Sequence, residues 1–121
     1  MSVARISKQH LRQILADTGV QNASCVVKFY SNNCPFCVRL KDEYHELANS
    51  FEDVYFFVVN IDDDGNLDDV LELNGVPSIL FVEIADTRRK IVLLQDPESP
   101  DEVTWYHPTY IKQFIESNIN D

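Results

Sequence analysis

The chain lacks any hydrophobic run of membrane-spanning length. No stretch approaches the roughly 20 apolar residues that a helix needs to cross a bilayer. Its first residues, "MSVARISKQH", lack the apolar centre of a targeting segment. Basic residues are also scarce: 10 lysines and arginines stand against 20 aspartates and glutamates, for a formal net charge of -10. The bases lie mostly near the front (Arg5, Lys8, Arg12, Lys28, Arg39, Lys41), and the acids gather after Phe51. Such a surface repels phosphate backbones and anionic lipid, so neither nucleic acid nor membrane is an expected partner. Cysteine is both rare and odd in number. Three cysteines cannot form a closed disulfide framework, and together with the missing targeting segment they point to a reducing, cytoplasmic setting. Cys25, at the start of an apolar run, reads as a plain buried thiol.

What remains is enough for one soluble domain over residues 1–121, expected to be a monomer. At 121 residues with 45% hydrophobic content, the chain can bury a core without metals or structural disulfides. The pattern alternates strands and helices. Val3–Ile6 is a short edge strand. Ser7 caps a helix over Lys8–Asp17, with Leu11, Ile14 and Leu15 on one face and Gly19 as the stop. Cys25–Tyr30 is a near-continuous apolar strand, Pro35–Ser50 a helix, and Val54–Ile61 ("VYFFVVNI") a strand covered on both faces. A short helix is expected at Leu67–Leu73. Strands at Ser78–Ile84 and Lys90–Leu94 form a hairpin about a turn at Asp86–Arg89, so that "Arg88-Arg89-Lys90" is a solvated turn. A polar loop spans Gln95–Glu102. Pro108 opens a last helix with Tyr110, Ile111, Phe114, Ile115 and Ile119 inward. Trp105 and Tyr106, just before it, read with Tyr110 as core and rim packing.

The stretch "VVKFYSNNCPFCVRL" carries the chemistry. Cys34 falls at the junction of strand and helix. Unpaired N–H groups of the first turn and the helix dipole favour a thiolate there, and thiolate is the reactive form. Pro35 at the first helical position has no N–H, so the donors are the amides of Phe36 and Cys37. Cys37 lies one turn along on the same face, within reach of a disulfide after a small adjustment. In this reading exposed Cys34 attacks and sheltered Cys37 resolves the mixed disulfide. A Cys-x-x-Cys pair can also be half of a zinc site. The other half is missing, because Cys25 lies in a strand and His10, His45 and His107 lack ligand spacing, so no metal is assigned. "NIDDDGNLDD" resembles the start of a calcium loop, but Leu71 stands where the bidentate glutamate belongs and a strand precedes it.

With these residues in view, the chain resembles the thioredoxin family over nearly its full length. The resemblance rests on "VVKFYSNNCPFC", "VVNID" (Val58–Asp62) and "NGVPSILFV" (Asn74–Val82). It implies a thioredoxin fold: an α/β architecture with a central mixed sheet of about five strands and helices on both faces. It also implies a thiol-disulfide oxidoreductase that reduces client-protein disulfides through Cys34 and Cys37. A thioredoxin reductase or glutathione would be the electron donor, and no bound cofactor is called for. Pro77 would be the family's cis-proline facing the dithiol. Val76 would then offer its backbone to an incoming strand, with Asn33 and Phe36 beside it.

Several positions depart from the family pattern. Asn33 replaces a tryptophan, and Pro35-Phe36 resembles the glutaredoxin pair rather than Gly-Pro. Asp42 replaces a helix-kinking proline. Lys28, six residues before Cys34, replaces a buried acid, while Val58 replaces the lysine that pairs with that acid. Two readings of Lys28 follow. Its stem can pack under the second helix while the ammonium snorkels to water. Alternatively the amine lies beneath Cys37 and, with Pro35, tunes the dithiol, favouring its reduced form. The departures also leave open a glutathione-dependent reductase and a thioredoxin-fold binding subunit with little redox activity.

Overall fold

The computed structural model describes residues 3–16, 22–63, 71, 73, 75–85 and 88–119. Five strands form one mixed sheet in the order β1-β3-β2-β4-β5. These are β1 (Ala4–Arg5), β2 (Ala23–Tyr30), β3 (Val54–Asn60), β4 (Ser78–Ala85) and β5 (Arg88–Leu93). The helices described are α1 (Lys8–Leu15), α2 (Pro35–Ser50) and α3 (Pro108–Ile119). β3 runs parallel to both β1 and β2, whereas β4 is antiparallel to β2 and β5 to β4.

Two hydrophobic layers sandwich the sheet, as the near-continuous apolar character of β2 and β3 requires. One contains Leu11 and Ile14 of α1 with Val27, Phe29, Leu80 and Val82. The other contains Leu40, Tyr44, Leu47 and Ala48 of α2 and Ile111 and Ile115 of α3, against Val26, Phe56, Ile79 and Phe81. Side chains alternate along β2, so Lys28 shares the α2 side with Val26. Tyr44 is fully enclosed, and its hydroxyl reaches the carbonyls of Val26 (3.1 Å) and Phe57 (2.7 Å), tying α2 to two strands. Burial raises the Tyr44 hydroxyl well above its ordinary pKa, so it stays a donor.

The local signals acted as expected at several ends. Ser7 Oγ accepts from the His10 amide at 3.1 Å, capping α1. With Asp42 in place of a proline, α2 runs unbroken for 16 residues. Other expectations need correction. "Arg88-Arg89-Lys90" is the first half of β5, paired with Glu83–Ala85, because β4 and β5 leave only residues 86 and 87 between them. Ile119 is 40% exposed; Asn118 is buried instead, its side-chain amide donating to the Phe114 carbonyl at 2.8 Å in the last turn. α1 ends at Leu15, short of the expected Asp17, because Ala16 turns extended while its N–H returns to the Arg12 carbonyl; the expected stop at Gly19 and residues 86–87 of the expected turn lie outside the described residues. So does most of the expected Leu67–Leu73 helix; Leu71 and Leu73 pack on the α1-side layer.

Candidate active site

Strand β2 delivers the chain to the site, and a short loop holds it there. After Tyr30, the Asn32 backbone N–H donates to Asp62 Oδ2 (2.9 Å), and Asn32 Oδ1 accepts from buried Asn60 Nδ2 (2.8 Å). Asn60 Oδ1 in turn accepts from the Asp62 N–H at 2.9 Å. This network ties the loop to the end of β3 immediately before Cys34. Asn33, exposed in the turn, makes the approach to the first cysteine polar where the family has a tryptophan.

Cys34 is the N-cap of α2, and Pro35 occupies the first turn. Cys34 and Cys37 form a disulfide, with Cα atoms 5.2 Å apart. The Cys37 N–H points at Cys34 Sγ at 3.1 Å, the donor arrangement that stabilises a thiolate on reduction. Cys34 is less open than expected: it is 7% exposed against 3% for Cys37. In the disulfide its sulfur turns toward its partner and the first-turn amide rather than toward water. Cys25 is a free, buried thiol whose pKa burial pushes up to about 11, and it takes no part in the site.

On one side of the disulfide lies a depression of about 230 Å³ lined by Phe36, Gly75, Val76, Pro77, Asp96 and Trp105. The Val76–Pro77 peptide is cis. Gly75 precedes it with φ 149°, a conformation that L side chains rarely adopt, and the Gly75 carbonyl accepts from Ser78 Oγ at 2.5 Å. Trp105 meets Phe36 edge-on, ring centroids 5.6 Å apart, and its indole N–H donates to Asp96 at 3.3 Å. A pinned turn sets that tryptophan. Asp101 and Trp105 exchange both backbone hydrogen bonds (2.9 and 3.0 Å), and Asp101 Oδ1 accepts from the amides of Val103 and Thr104. Those bonds hold the Asp101 carboxyl below its ordinary pKa. Trp105 closes the turn with φ 68°, rare for a bulky residue. Packing roles therefore divide: Tyr106 is core, as expected, while Trp105 reaches the site.

On the other side, beneath Cys37, lies Lys28. It is 3% exposed, so it does not extend into bulk water as the snorkelling reading expects; it lies at the wall of a cavity instead. Its ammonium stands 4.9 Å from the Tyr44 ring centroid, a cation–π contact. The register sets Lys28 directly between Val58 on β3 and Ile79 on β4, so the strands offer no carboxylate. Burial, reinforced by the charge of Lys41, lowers its pKa to about 8. Lys28, Cys37, Lys41 and His45 line one cavity of about 330 Å³. Lys41 and His45 were missed in the sequence, although their spacing from Cys37, at i+4 and i+8 on a helix, is the signal that one face carries all three. Trp105 and Asp96 had no comparable signal.

Of the suspected calcium residues, Asn60 and Asp62 are engaged with Asn32, and Asp63 with Arg5; residues 64–69 lie outside the described residues.

Comparison with known proteins agrees with this geometry. Residues 2–99 match the family model for Thioredoxin. A thioredoxin from Mycoplasmoides gallisepticum is 29% identical over 85 residues, covering 68% of this chain and 81% of that protein. A thioredoxin from Geodia cydonium is 28% identical over 75 residues, covering 62% of this chain and 69% of that one. The fold also superimposes on the structure of Trichomonas vaginalis thioredoxin with a TM-score of 0.68 at 22% identity, over 98% of this chain and 96% of that one. With a Cys-x-x-Cys disulfide opening a helix at the end of a central strand, the fold defines a thiol-disulfide oxidoreductase. The chain belongs to the Thioredoxin family.

Proposed function

We propose that the chain is a single-domain, monomeric reductase of protein disulfides in the cytoplasm, passing electrons from a thioredoxin reductase to its clients. The observation that carries this reading is the position of Cys34 Sγ as the cap of α2, receiving the Cys37 N–H. Cys34 thiolate attacks one sulfur of a client disulfide and the other client sulfur leaves as a thiolate. The client is then joined to Cys34. Cys37, as a thiolate, attacks Cys34 Sγ, releases the reduced client and closes the Cys34–Cys37 disulfide. Two electrons pass to the client, and the reductase returns them to the disulfide.

Val76 and Pro77 border the depression beside Phe36, which suits a client strand lying along the backbone of Val76 with Asn33 at its edge. Pro35 leaves the first turn one donor short, concentrating the polar contact with Cys34 on the Cys37 amide. Lys28 tunes the pair from below: as an ammonium it favours thiolate at Cys37, and when neutral it can accept that thiol's proton. No helix among the described residues is long and apolar enough to cross a membrane.

The test is insulin reduction by the full chain, driven either by NADPH with a thioredoxin reductase or by glutathione. Turnover with the flavoenzyme supports the reading. Turnover with glutathione alone would replace the proposed donor. No turnover with either, at intact fold, would leave a binding subunit.

A further inference from the structure

We propose that the cavity beneath α2, bounded by Lys28, Lys41 and His45, binds a small organic anion: a carboxylate on a compact apolar body. Three observations carry this. First, the space is adequate. At about 330 Å³ it falls within the range of small-molecule sites, about 300–1,000 Å³.

Second, the charge around it is of one sign. Acids outnumber bases 20 to 10 in the chain, yet no carboxylate is among the described residues that line this cavity. Lys28 enters from β2, and Lys41 and His45 from α2; β3 contributes only Val58. Tyr30 is the other titratable side chain on the wall besides Cys37. Asp62 reaches the rim only through the Asn32 N–H, which already occupies its Oδ2. Lys28 is more than nine-tenths buried and has no anionic partner among the described residues, whereas buried charges are ordinarily paired. Lys41 repels it, lowering its proton affinity further. A carboxylate between the amines removes both penalties.

Third, apart from Ser31 and Asn32 of the loop, the rest of the wall is apolar. Val38, Val58 and the Tyr30 ring would stay wet around a bare inorganic ion, but would be covered by a hydrocarbon body.

Because Cys37 lines the same space, binding and oxidation state are linked. An anion beside Cys37 opposes the negative charge that reduction creates, so the disulfide form binds more tightly and the ligand lowers the reduction potential. By reciprocity a tenfold difference in affinity between the two forms appears as about 30 mV. This linkage rests on the redox reading above; the binding site itself does not.

The experiment titrates the oxidised full chain with benzoate, followed by amide chemical shifts, with acetate and inorganic sulfate as comparisons. The expected result is saturable shifts centred on Lys28, Cys37, Lys41 and His45, with benzoate binding more tightly than acetate or sulfate. Lys28→Met should weaken benzoate about tenfold, the loss of one ion pair. Lys41→Gln, at an exposed position that leaves folding intact, should weaken it severalfold. In the unmodified protein, affinity should fall as pH rises through about 8, where Lys28 loses its proton. Absence of saturable shifts would overturn the proposal. So would affinity unchanged in Lys41→Gln and across that pH range, or sulfate binding as well as benzoate. The readout involves no turnover, so its failure leaves the reductase reading standing, and failed insulin reduction leaves the anion site standing.

Discussion

The two sides of the Cys34–Cys37 disulfide are built on opposite principles. Above Phe36 the wall is aromatic and edged by an acid: Trp105, Pro77, Val76 and Asp96. Beneath Cys37 the wall is cationic, and its central amine is enclosed. On the proposed reading the first side is a docking surface, where edge-on rings and the Val76 backbone meet an extended chain. The second is a pocket with a buried amine at its base and exposed side chains, Val38 and Lys41, at its mouth. On the proposed reading it acts through charge on the sulfur above it and on the small anion that enters. The contrast, so read, separates client recognition from the setting of the dithiol's chemistry on the proposed reading, and each half can be broken alone.

The largest effect should come from the sulfurs, where the halves meet. Cys34→Ser should abolish insulin reduction, whereas Cys37→Ser should form stable mixed disulfides with clients, detected by mass under non-reducing conditions. If alkylation of the reduced protein near neutral pH labels Cys37 before Cys34, the assignment of attacking and resolving thiols is reversed.

Next in size is the cationic side. Lys28 has a folded-state pKa of about 8, below the ordinary 10.5. Between those values the unfolded chain binds more protons than the folded one, so the sign is that stability rises with pH across this window. Below about pH 8 the amine is charged in both states and its burial cost is present in full. Lys28→Met should therefore stabilise the fold at neutral pH by about 1–3 kcal/mol, an advantage that shrinks as pH rises from 8 toward 10.5. Denaturant melts at several pH values measure this. A pH-independent difference would mean that packing, not charge, separates the two proteins. The same variant should lower the reduction potential, by about 30 mV for each 1.4 kcal/mol of lost preference for the reduced form.

The aromatic side should respond more gently and in a different observable. Trp105→Ala removes the aromatic wall of the depression, so, at about 0.5–1.5 kcal/mol of lost aromatic contact with the client, KM for a protein client should rise roughly two- to tenfold. The reduction potential should hold. A shifted potential with unchanged KM would erase the distinction between the two sides. The smallest effect is expected from Asp101→Ala, which removes the acceptor for the Val103 and Thr104 amides. It should loosen the turn that presents Trp105 and reproduce a fraction of the Trp105→Ala change in KM, with global stability little altered.

Much of this was legible beforehand. The α2 limits, the three central strands and the Cys34 cap are encoded in short local patterns, apolar runs and a proline in the first turn, while the Gly75–Ser78 motif was legible through the family resemblance. Where local pattern misled, a tertiary contact or the closeness of two strands was the cause. The arginine pair at 88–89 looked like a turn because charge usually marks solvent, yet β4 carries it into the sheet as an edge strand. Ile119 looked inward by periodicity, but Asn118 took the buried place in the last turn.

By itself, then, the sequence determined the element types, the strand-to-helix position of the cysteines and their capacity for redox chemistry. Those depend on neighbours a few residues apart, which hydrogen bonding and side-chain spacing couple directly. Only the tertiary structure decided that Lys28 is enclosed rather than extended to water, that Lys41 and His45 converge on the space beneath Cys37, and that Trp105 supplies an aromatic wall to the site. Those outcomes depend on which surfaces meet across 13 residues in one case and 69 in another (Lys28 to Lys41, Phe36 to Trp105). No local propensity carries that information, because burial is a property of the packed layers rather than of the segment.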